Sequence, residues 1–145
     1  MTKKPITSFQ GEYRFLSNFY PSLIIVHGHK FPTVEHAYQA CKTVDPLEKV
    51  FIRNAPTPGK AKQRGNLVTL VIDWEERKDG VMYQLVRQKF EIPSLKKLLL
   101  KTGTRYLIEG NAWNDTYWGQ CPLGTGKNKL GIILMKVRSE LSRLG

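Results

Sequence analysis

The sequence predicts an α+β fold, a single compact and mostly helical domain over residues 1–145 with a small antiparallel sheet. Three observations support this class. Segments with helix caps and helical spacing of apolar residues recur along most of the chain. One apolar run that turns at His-Gly-His is typical of a β-hairpin. No repeat, low-complexity segment or long linker divides the chain, and its length is sufficient for one buried core.

The N-terminal third of the chain is predicted to form short strands. The run SLIIVHGHKF (22–31) predicts a hairpin that turns at Gly28. Thr33 is then a favourable helix N-cap, with Glu35 in the first turn. The first helix is therefore predicted to begin after Thr33 and to reach about Val44.

Two further helices and a strand are predicted in the middle of the chain. Asp45 caps a helix that begins at Pro46 and reaches about Asn54. The segment KAKQR predicts a short helix that ends at Gly65. The apolar run LVTLVI (67–72) that follows is typical of a buried strand.

Helices dominate the second half. Asp73 can cap a long helix that runs through Phe90, and another begins at Pro93 and stops at Gly103, a natural left-handed terminator. The segment RYLIEG is typical of a strand. The last helix is predicted over about 130–144.

The formal net charge of +11 is the strongest compositional feature. The bases occur in three groups without an intervening acid, of which the first lies in an acid-free stretch from residue 49 to 72. They are Lys49, Arg53, Lys60, Lys62 and Arg64, then Lys96, Lys97, Lys101 and Arg105, then Lys127, Lys129, Lys136 and Arg138. Charge spread along the chain favours partners that carry phosphate, either nucleic acid or small metabolites, over a role in solubility alone.

The apolar runs are far too short to span a bilayer, and MTKKPITSFQ lacks the apolar core of a secretory signal. We therefore expect no membrane partner. Cys41 and Cys121 lie far apart in sequence, which favours reduced thiols over a disulfide framework. These features predict a cytoplasmic protein.

The segment TVEHAYQACK places polar residues among apolar ones at helical spacing. Glu35, Gln39 and Lys42 fall on one helical face, beside an apolar stripe. A solvent-exposed amphipathic helix has this pattern, and so does one wall of a catalytic site. This helix alone does not decide between them.

The irregular loop from Asn111 to Lys129 favours a site, because long loops inside a compact domain are usually functional. Its aromatic side chains can stack on a flat ring. GTGKN (124–128), just before the last helix, can turn backbone amides and Lys127 toward an anion, although it matches neither a P-loop nor a dinucleotide-binding pattern. No spacing typical of a zinc site or of GxSxG is present, so we expect no metal.

These segments resemble the NADAR (NAD and ADP-ribose) family, also called YbiA-like. The resemblance rests on an ordered series covering nearly the whole chain: FLSNFY, FPTVEHAYQACK, KAKQRG, DWEERKDGVM, KF, LLLKTG, DTYWG and GKNKLGIILMKVR. It implies the YbiA-like fold and an N-glycosidase that needs no cofactor. Some members cleave the ribose–nitrogen bond of ribosylamino-pyrimidine phosphates, which are riboflavin-biosynthesis intermediates, and others remove ADP-ribose from guanine in nucleic acid.

The resemblance also implies roles for individual residues. Glu35 is the expected acid/base, and Asp115 is expected to activate water or to hold the ribose hydroxyls. Lys42 is expected to form a Schiff base with C1 or, alternatively, to bind phosphate or pair with Glu35. The expected substrate-binding residues are Asn18, Phe19, Phe31, His36, Gln39, Gly65, Trp118, Gly119, Lys127 and Asn128.

The chain departs from the family pattern at two places. Phe31 stands where Trp is frequent, and QCPLG around Cys121 replaces a small or acidic stretch. The second departure concerns the base pocket and therefore the identity of the substrate. Two other classes of function fit the charge: a binding module for ADP-ribose or nucleic acid that does not cleave it, and a structural adaptor.

Overall fold

The computed structural model describes residues 3–144, which form two compact units. Asn18–Lys89 is continuous in sequence, whereas the other unit combines residues 3–17 with 90–144. The single domain expected for residues 1–145 stays a prediction. None of the helices formed by residues 3–144 has the length and apolar character that a membrane span requires.

The continuous unit consists of a hairpin followed by helices. Its elements are β1 (Ile24–Val26), β2 (His29–Phe31), α1 (Val34–Ala40), α2 (Pro46–Arg53), α3 (Pro58–Gly65) and α4 (Trp74–Phe90), whose last residue already belongs to the other unit. Helix α1 packs against α2, α3 and the hairpin. All seven of its residues are accordingly buried, including the polar ones.

The predicted hairpin and small antiparallel sheet are confirmed. Ile24 pairs with Phe31, and Val26 with His29. The two residues of the turn, His27 and Gly28, have φ angles of 49° and 82°. A two-residue turn with both angles positive matches the right-handed twist of the strands, so the turn fixes the register.

The discontinuous unit contains a 3₁₀ helix (Gly11–Leu16), α5 (Pro93–Lys101) and α6 (Lys129–Arg143). The 3₁₀ helix replaces part of the short strands predicted for the N-terminal third. Nearer the N-terminus, Ile6 forms an isolated parallel bridge with Leu107. The segment RYLIEG forms only such isolated bridges, so the strand predicted there is wrong.

The predicted helix starts are largely confirmed by their caps. The Thr33 hydroxyl accepts a hydrogen bond from the His36 amide, and the Asp45 carboxylate accepts one from Leu47. Helices α2 and α5 begin at proline, where the missing amide costs nothing. At the far end of α5, Gly103 has the expected left-handed φ of 64°.

Helix α1 ends at Ala40, about one turn earlier than predicted. The chain then turns, because the Thr43 hydroxyl accepts a hydrogen bond from the Asp45 amide and donates one to Glu48. Such side-chain bonds offer the backbone an alternative to the helix. Lys42 therefore lies in the turn after α1 and not on the helix itself.

The run 67–72 is not a buried strand, which corrects the prediction. Leu67, Leu70 and Ile72 are 75%, 53% and 105% exposed. The segment is an irregular connection held at two points: the Val71 amide donates to the Lys42 carbonyl at 2.8 Å, and the Thr69 amide donates to the Glu48 carboxylate. These isolated bonds replace a strand ladder.

Candidate active site

Helix α1 brings Glu35 and Gln39 together in the continuous unit. Gln39 Nε2 donates a hydrogen bond to Glu35 Oε2 at 2.6 Å, as the i, i+4 spacing allows. Both side chains are buried, with Glu35 only 8% exposed. A buried carboxylate is costly unless it is hydrogen-bonded, so this pair is not an ordinary solvent-exposed helix face.

Gly65, in the last turn of α3, lies against the amide of Gln39. A Cβ at this position would stand only 1.9 Å from Gln39 Oε1. That oxygen is buried and has no hydrogen-bond partner among the described residues. Gly65 therefore makes room for Gln39 to reach Glu35. Substrate binding by Gly65 itself stays a prediction.

Lys42 is half-buried beside this pair, and burial lowers the pKa of its ammonium group. The charge of Glu35 acts in the opposite direction, while Lys62 and Lys78 lower the pKa further. Lys62 comes from α3 and Lys78 from α4, so three helices contribute charge around one amine. The predicted stripe of Glu35, Gln39 and Lys42 is thus assembled in one unit.

His36 is buried, and both of its ring nitrogens are hydrogen-bonded. Nδ1 lies 2.7 Å from the Thr33 hydroxyl, and Nε2 lies 3.0 Å from the Ala55 carbonyl, to which it donates. Burial lowers the pKa of His36. These contacts connect the start of α1 to the segment before α3, and they hold the helix that carries Glu35.

The remaining predicted residues of this unit differ in exposure. Asn18 is buried, its carbonyl accepts the Glu35 amide at 3.1 Å, and its Nδ2 donates to Met82 Sδ at 3.4 Å. Phe19 is exposed. Phe31 is buried and lines a groove at the C-terminal end of α1. Substrate contact by any of them stays a prediction.

Three lysines of this unit were not foreseen as site residues. Lys62 and Lys78 act on Lys42 through space, and only the basic cluster containing Lys62 was visible in the sequence. Lys89 is 1% exposed, its Nζ lies 5.8 Å from the centre of the Tyr20 ring, and burial lowers its pKa to about 7. The motif KF includes Lys89, but the sequence alone does not indicate that this charged residue of a helix is buried.

In the other unit, Asp115 organises the start of the Gly- and aromatic-rich loop. Its Oδ1 accepts hydrogen bonds from the amides of Tyr117 and Trp118, at 3.1 and 2.9 Å. The side-chain amide of Asn111 in turn donates a hydrogen bond to the Asp115 carbonyl and accepts one from the Asp115 backbone amide. The catalytic role expected for Asp115 stays a prediction, and its structural role in this turn is evident.

The other predicted residues of this unit belong to the same loop. Asn128, left-handed with φ of 50°, uses its amide to bind the Glu109 amide and the Leu107 carbonyl. A Cβ at Gly119 would meet the backbone and carboxylate of Glu109. Trp118 packs edge-on to Tyr117, and the Lys127 ammonium lies 5.4 Å from the same Tyr117 ring. Phosphate binding by Lys127 and Asn128 stays a prediction.

The chain is similar in sequence to several known proteins. The chain is 38% identical over 138 residues to N-glycosidase YbiA of Escherichia coli, covering 93% of this chain and 86% of that protein. It is 36% identical over 138 residues to an N-glycosidase of Nostoc punctiforme, covering 91% and 88%. A 36% match to the chloroplastic riboflavin biosynthesis protein PYRR of Zea mays covers 86% of this chain and 23% of that longer protein.

The fold is also shared. The NMR structure of the E. coli protein YbiA superposes with a TM-score of 0.87 at 37% identity, over 99% of this chain and 88% of that one. The α+β class and the YbiA-like fold are thereby confirmed. The family model of the NADAR domain matches residues 7–142. The chain therefore belongs to the NADAR family.

Proposed function

We propose that this protein is an N-glycosidase, a hydrolase that cleaves the bond between C1 of a ribose and an exocyclic nitrogen of a base. Water adds to C1, the C1–N bond breaks, and the leaving nitrogen takes a proton. The names of the relatives, N-glycosidase and riboflavin biosynthesis protein, support this activity. We place the reaction in the cytoplasm, where reduced cysteines and phosphorylated metabolites coexist.

The buried Glu35 carboxylate carries the proposal. Its hydrogen bond from Gln39 fixes one oxygen, and burial keeps water from competing for the group. Such a carboxyl group is suited to deliver a proton to the leaving nitrogen or the ring oxygen and to recover it from water. A non-catalytic binding module has no need of a buried carboxylate beside an amine.

Lys42 is the proposed nucleophile toward the open-chain form of the glycosylamine. Its Nζ adds to C1 and passes one proton to the base nitrogen. A second proton from Glu35 lets the base leave as an amine, and water hydrolyses the resulting Lys42 imine, which releases the sugar and restores both side chains. The lysine amine must be neutral to attack. Burial, which is the largest effect, lowers the pKa of Lys42, as do Lys62 and Lys78, whereas Glu35 and Glu75 raise it, and the net effect favours the neutral form. In the alternative role, Lys42 remains charged and binds the substrate's phosphate with the same two lysines.

Lys89 competes with Lys42 for the nucleophile's role, because burial lowers its pKa to about 7. Access decides between them. Lys89 is fully buried against the Tyr20 ring, whereas Lys42 is only partly buried. A substrate carbon can reach only the more accessible amine, so we assign the covalent step to Lys42.

The substrate class we propose is a ribosylamino-pyrimidine phosphate. Removal of ADP-ribose from guanine in nucleic acid is the second candidate, and the net charge of +11 favours it. Both substrates present a ribosylated exocyclic nitrogen, a flat base and phosphate. The chemistry at Glu35 and Lys42 is the same for either one.

The test compares release of free sugar from both substrates by the wild type and by Glu35→Gln, using mass spectrometry. We expect release from one substrate and a loss of about 10²-fold or more in the variant, the usual contribution of a positioned acid/base. Glu76→Gln, an exposed acid in the first turn of α4, is the matched control.

Borohydride reduction during turnover tests the covalent step. We expect a sugar adduct on Lys42 that is absent from Lys42→Met and retained in Lys89→Met. Tight binding of either substrate without release would instead establish a binding module. Release with no trapped adduct would keep the glycosidase and assign Lys42 to phosphate binding.

A further inference from the structure

A groove at the C-terminal end of α1 is lined by Phe31, one of the predicted substrate-binding residues, but by neither Glu35 nor Lys42. It encloses about 170 Å³ between the hairpin, the end of α1 and α2. Its apolar walls include Val26, Phe31, Ala40 and Val50. A cavity of roughly 150 Å³ accommodates a benzene ring, so the groove has room for one aromatic ring or a short aliphatic chain.

The groove is distinct from the surface that carries Glu35. Ala40 follows Glu35 by five residues, which places it about 140° around the helix axis, whereas Gln39 lies only about 40° away. Ala40 and Cys41 line the groove, and neither Glu35 nor Gln39 does. One helix therefore presents two different surfaces.

The polar groups around the groove are all basic or neutral. His27 and His29 come from the hairpin, and Lys49 and Arg53 from α2. Among the described residues, those that line the groove include no carboxylate. Lys49 donates to the Ala40 carbonyl at 2.9 Å, so Arg53 is the more available charge.

The turn of the hairpin lies at the groove's edge. His27 has a φ of 49°, as the first position of this two-residue turn requires. The turn places the His27 imidazole at the rim, beside the apolar walls.

We propose that this groove binds a small amphiphilic anion, an aromatic or short aliphatic body that carries one carboxylate, sulfonate or phosphate. The apolar part fills the space between Phe31, Ala40 and Val50, and the anionic group faces Arg53 and the two histidines. The walls provide the apolar contact, and Arg53 on a rim without carboxylates selects the charge. The proposal does not depend on the glycosidase activity.

Two probes of the same shape test it: benzenesulfonate, which is anionic, and benzenesulfonamide, which is neutral at pH 7. Amide chemical shifts of the ¹⁵N-labelled protein are followed during titration. We expect shifts confined to the groove, centred on Cys41 and Val50. We also expect the sulfonate to bind about three- to fivefold more tightly, the scale of partly exposed charge pairs.

Two variants with matched controls locate the site. Val50→Glu puts a carboxylate in the wall and is expected to weaken sulfonate binding by about tenfold or more. Leu98→Glu on α5 is its control, because the two side chains are 37% and 38% exposed. Arg53→Met is expected to abolish the preference for the sulfonate, and Lys97→Met on α5 is expected to leave it unchanged.

Cys41 gives an independent readout, because it lines the groove and Cys121 does not. Bound sulfonate is expected to slow alkylation of Cys41 by iodoacetamide and to leave Cys121 unaffected. Equal binding of the two probes, dispersed shifts, or an equal loss in Leu98→Glu would overturn the proposal.

Discussion

At the scale of single residues, Gly65 allows α3 to approach the Gln39 side chain closely, because it has no Cβ. The Cβ of Gly65→Ala would overlap Gln39 Oε1, so the amide must move away from Glu35. A hydrogen bond to a charged group contributes about 1.5–3 kcal/mol, and its loss corresponds to about 10- to 100-fold in kcat. We expect this fall in kcat with little change in KM, measured by sugar release.

Gly59 provides the control for this substitution. It lies in the same helix, and a Cβ there would meet only the Thr57 hydroxyl at 3.9 Å. Gly59→Ala is expected to retain full kcat. In addition, Gly65→Ala should add little to the loss in Gln39→Ala, because both changes remove one interaction. Additive losses would show that Gly65 acts on something else.

Lys89 makes stability depend on pH. Its pKa is about 7 in the folded protein and near 10.5 in the unfolded chain, so the unfolded state binds one more proton between these values. Stability therefore rises with pH through this window, by about 1.4 kcal/mol per unit. We expect denaturant unfolding to show this slope in the wild type relative to Lys89→Met.

Lys101→Met, on the exposed side of α5, is the matched control and should keep the wild-type slope. Other groups titrate in the same range, so the difference between variants is the relevant quantity. Identical slopes for the wild type and Lys89→Met would show that Lys89 stays charged in the folded state.

The sequence foresaw only part of the candidate site. Local spacing in the sequence grouped Glu35, Gln39 and Lys42, and the family resemblance then implied their roles. Lys62 and Lys78 lie on other helices, and only packing brings their charge to Lys42. The position of Gly65 in a family motif was visible, but its contact with Gln39 was not.

At the scale of elements, Glu48 ties α2 to the connection between α3 and α4. Its carboxylate accepts hydrogen bonds from the Thr43 hydroxyl and from both the amide and hydroxyl of Thr69. These bonds, with Thr43 contributing most, lower the pKa of Glu48. The same connection is bonded to the Lys42 carbonyl through Val71.

Glu48→Gln keeps the shape of the side chain and removes its charge. Hydrogen bonds to an ionised acceptor are the stronger ones, so we expect amide exchange at Thr69 and Val71 to accelerate by about fivefold or more. Hydrogen–deuterium exchange measures this directly, with Glu76→Gln as control. Unchanged exchange would mean that the Val71 bond alone holds the connection.

The same element explains why the strand over 67–72 was wrongly predicted. The composition of residues 67–72 is typical of a strand. By contrast, the helix starts at Thr33, Asp45 and Pro93 were predictable, because a helix cap depends only on local residues. A strand also needs a neighbouring strand as partner, whereas the amides of this segment bond to one carboxylate and one carbonyl. Nothing local in the sequence shows whether such amides pair with a strand or with isolated acceptors.

At the scale of the whole molecule, the charge of +11 separates the two candidate substrates. Nucleic acid binding releases counterions, so its affinity falls steeply with salt, whereas a small phosphate makes few contacts. Between 50 and 200 mM salt, we expect affinity for ADP-ribosylated DNA to fall about tenfold or more. The KM for a ribosylamino-pyrimidine phosphate should change by less than about threefold.

Steady-state sugar release and fluorescence anisotropy over a salt series provide these values. Potassium glutamate in place of chloride controls for effects of the specific anion. A flat salt dependence for DNA would show that the charge serves solubility, and it would leave the metabolite as the substrate.

The division into a continuous and a discontinuous unit also has a consequence for the order in which the chain folds during synthesis. Asn18–Lys89 is continuous, so its internal contacts become available as soon as it leaves the ribosome. Lys4, by contrast, awaits Arg105, which is 101 residues downstream. At translation rates of about 5–20 residues per second, the leading segment stays unpartnered for roughly 5–20 s. During this time chaperones and proteases can reach the leading segment, while the helix that carries Glu35 can already be folded.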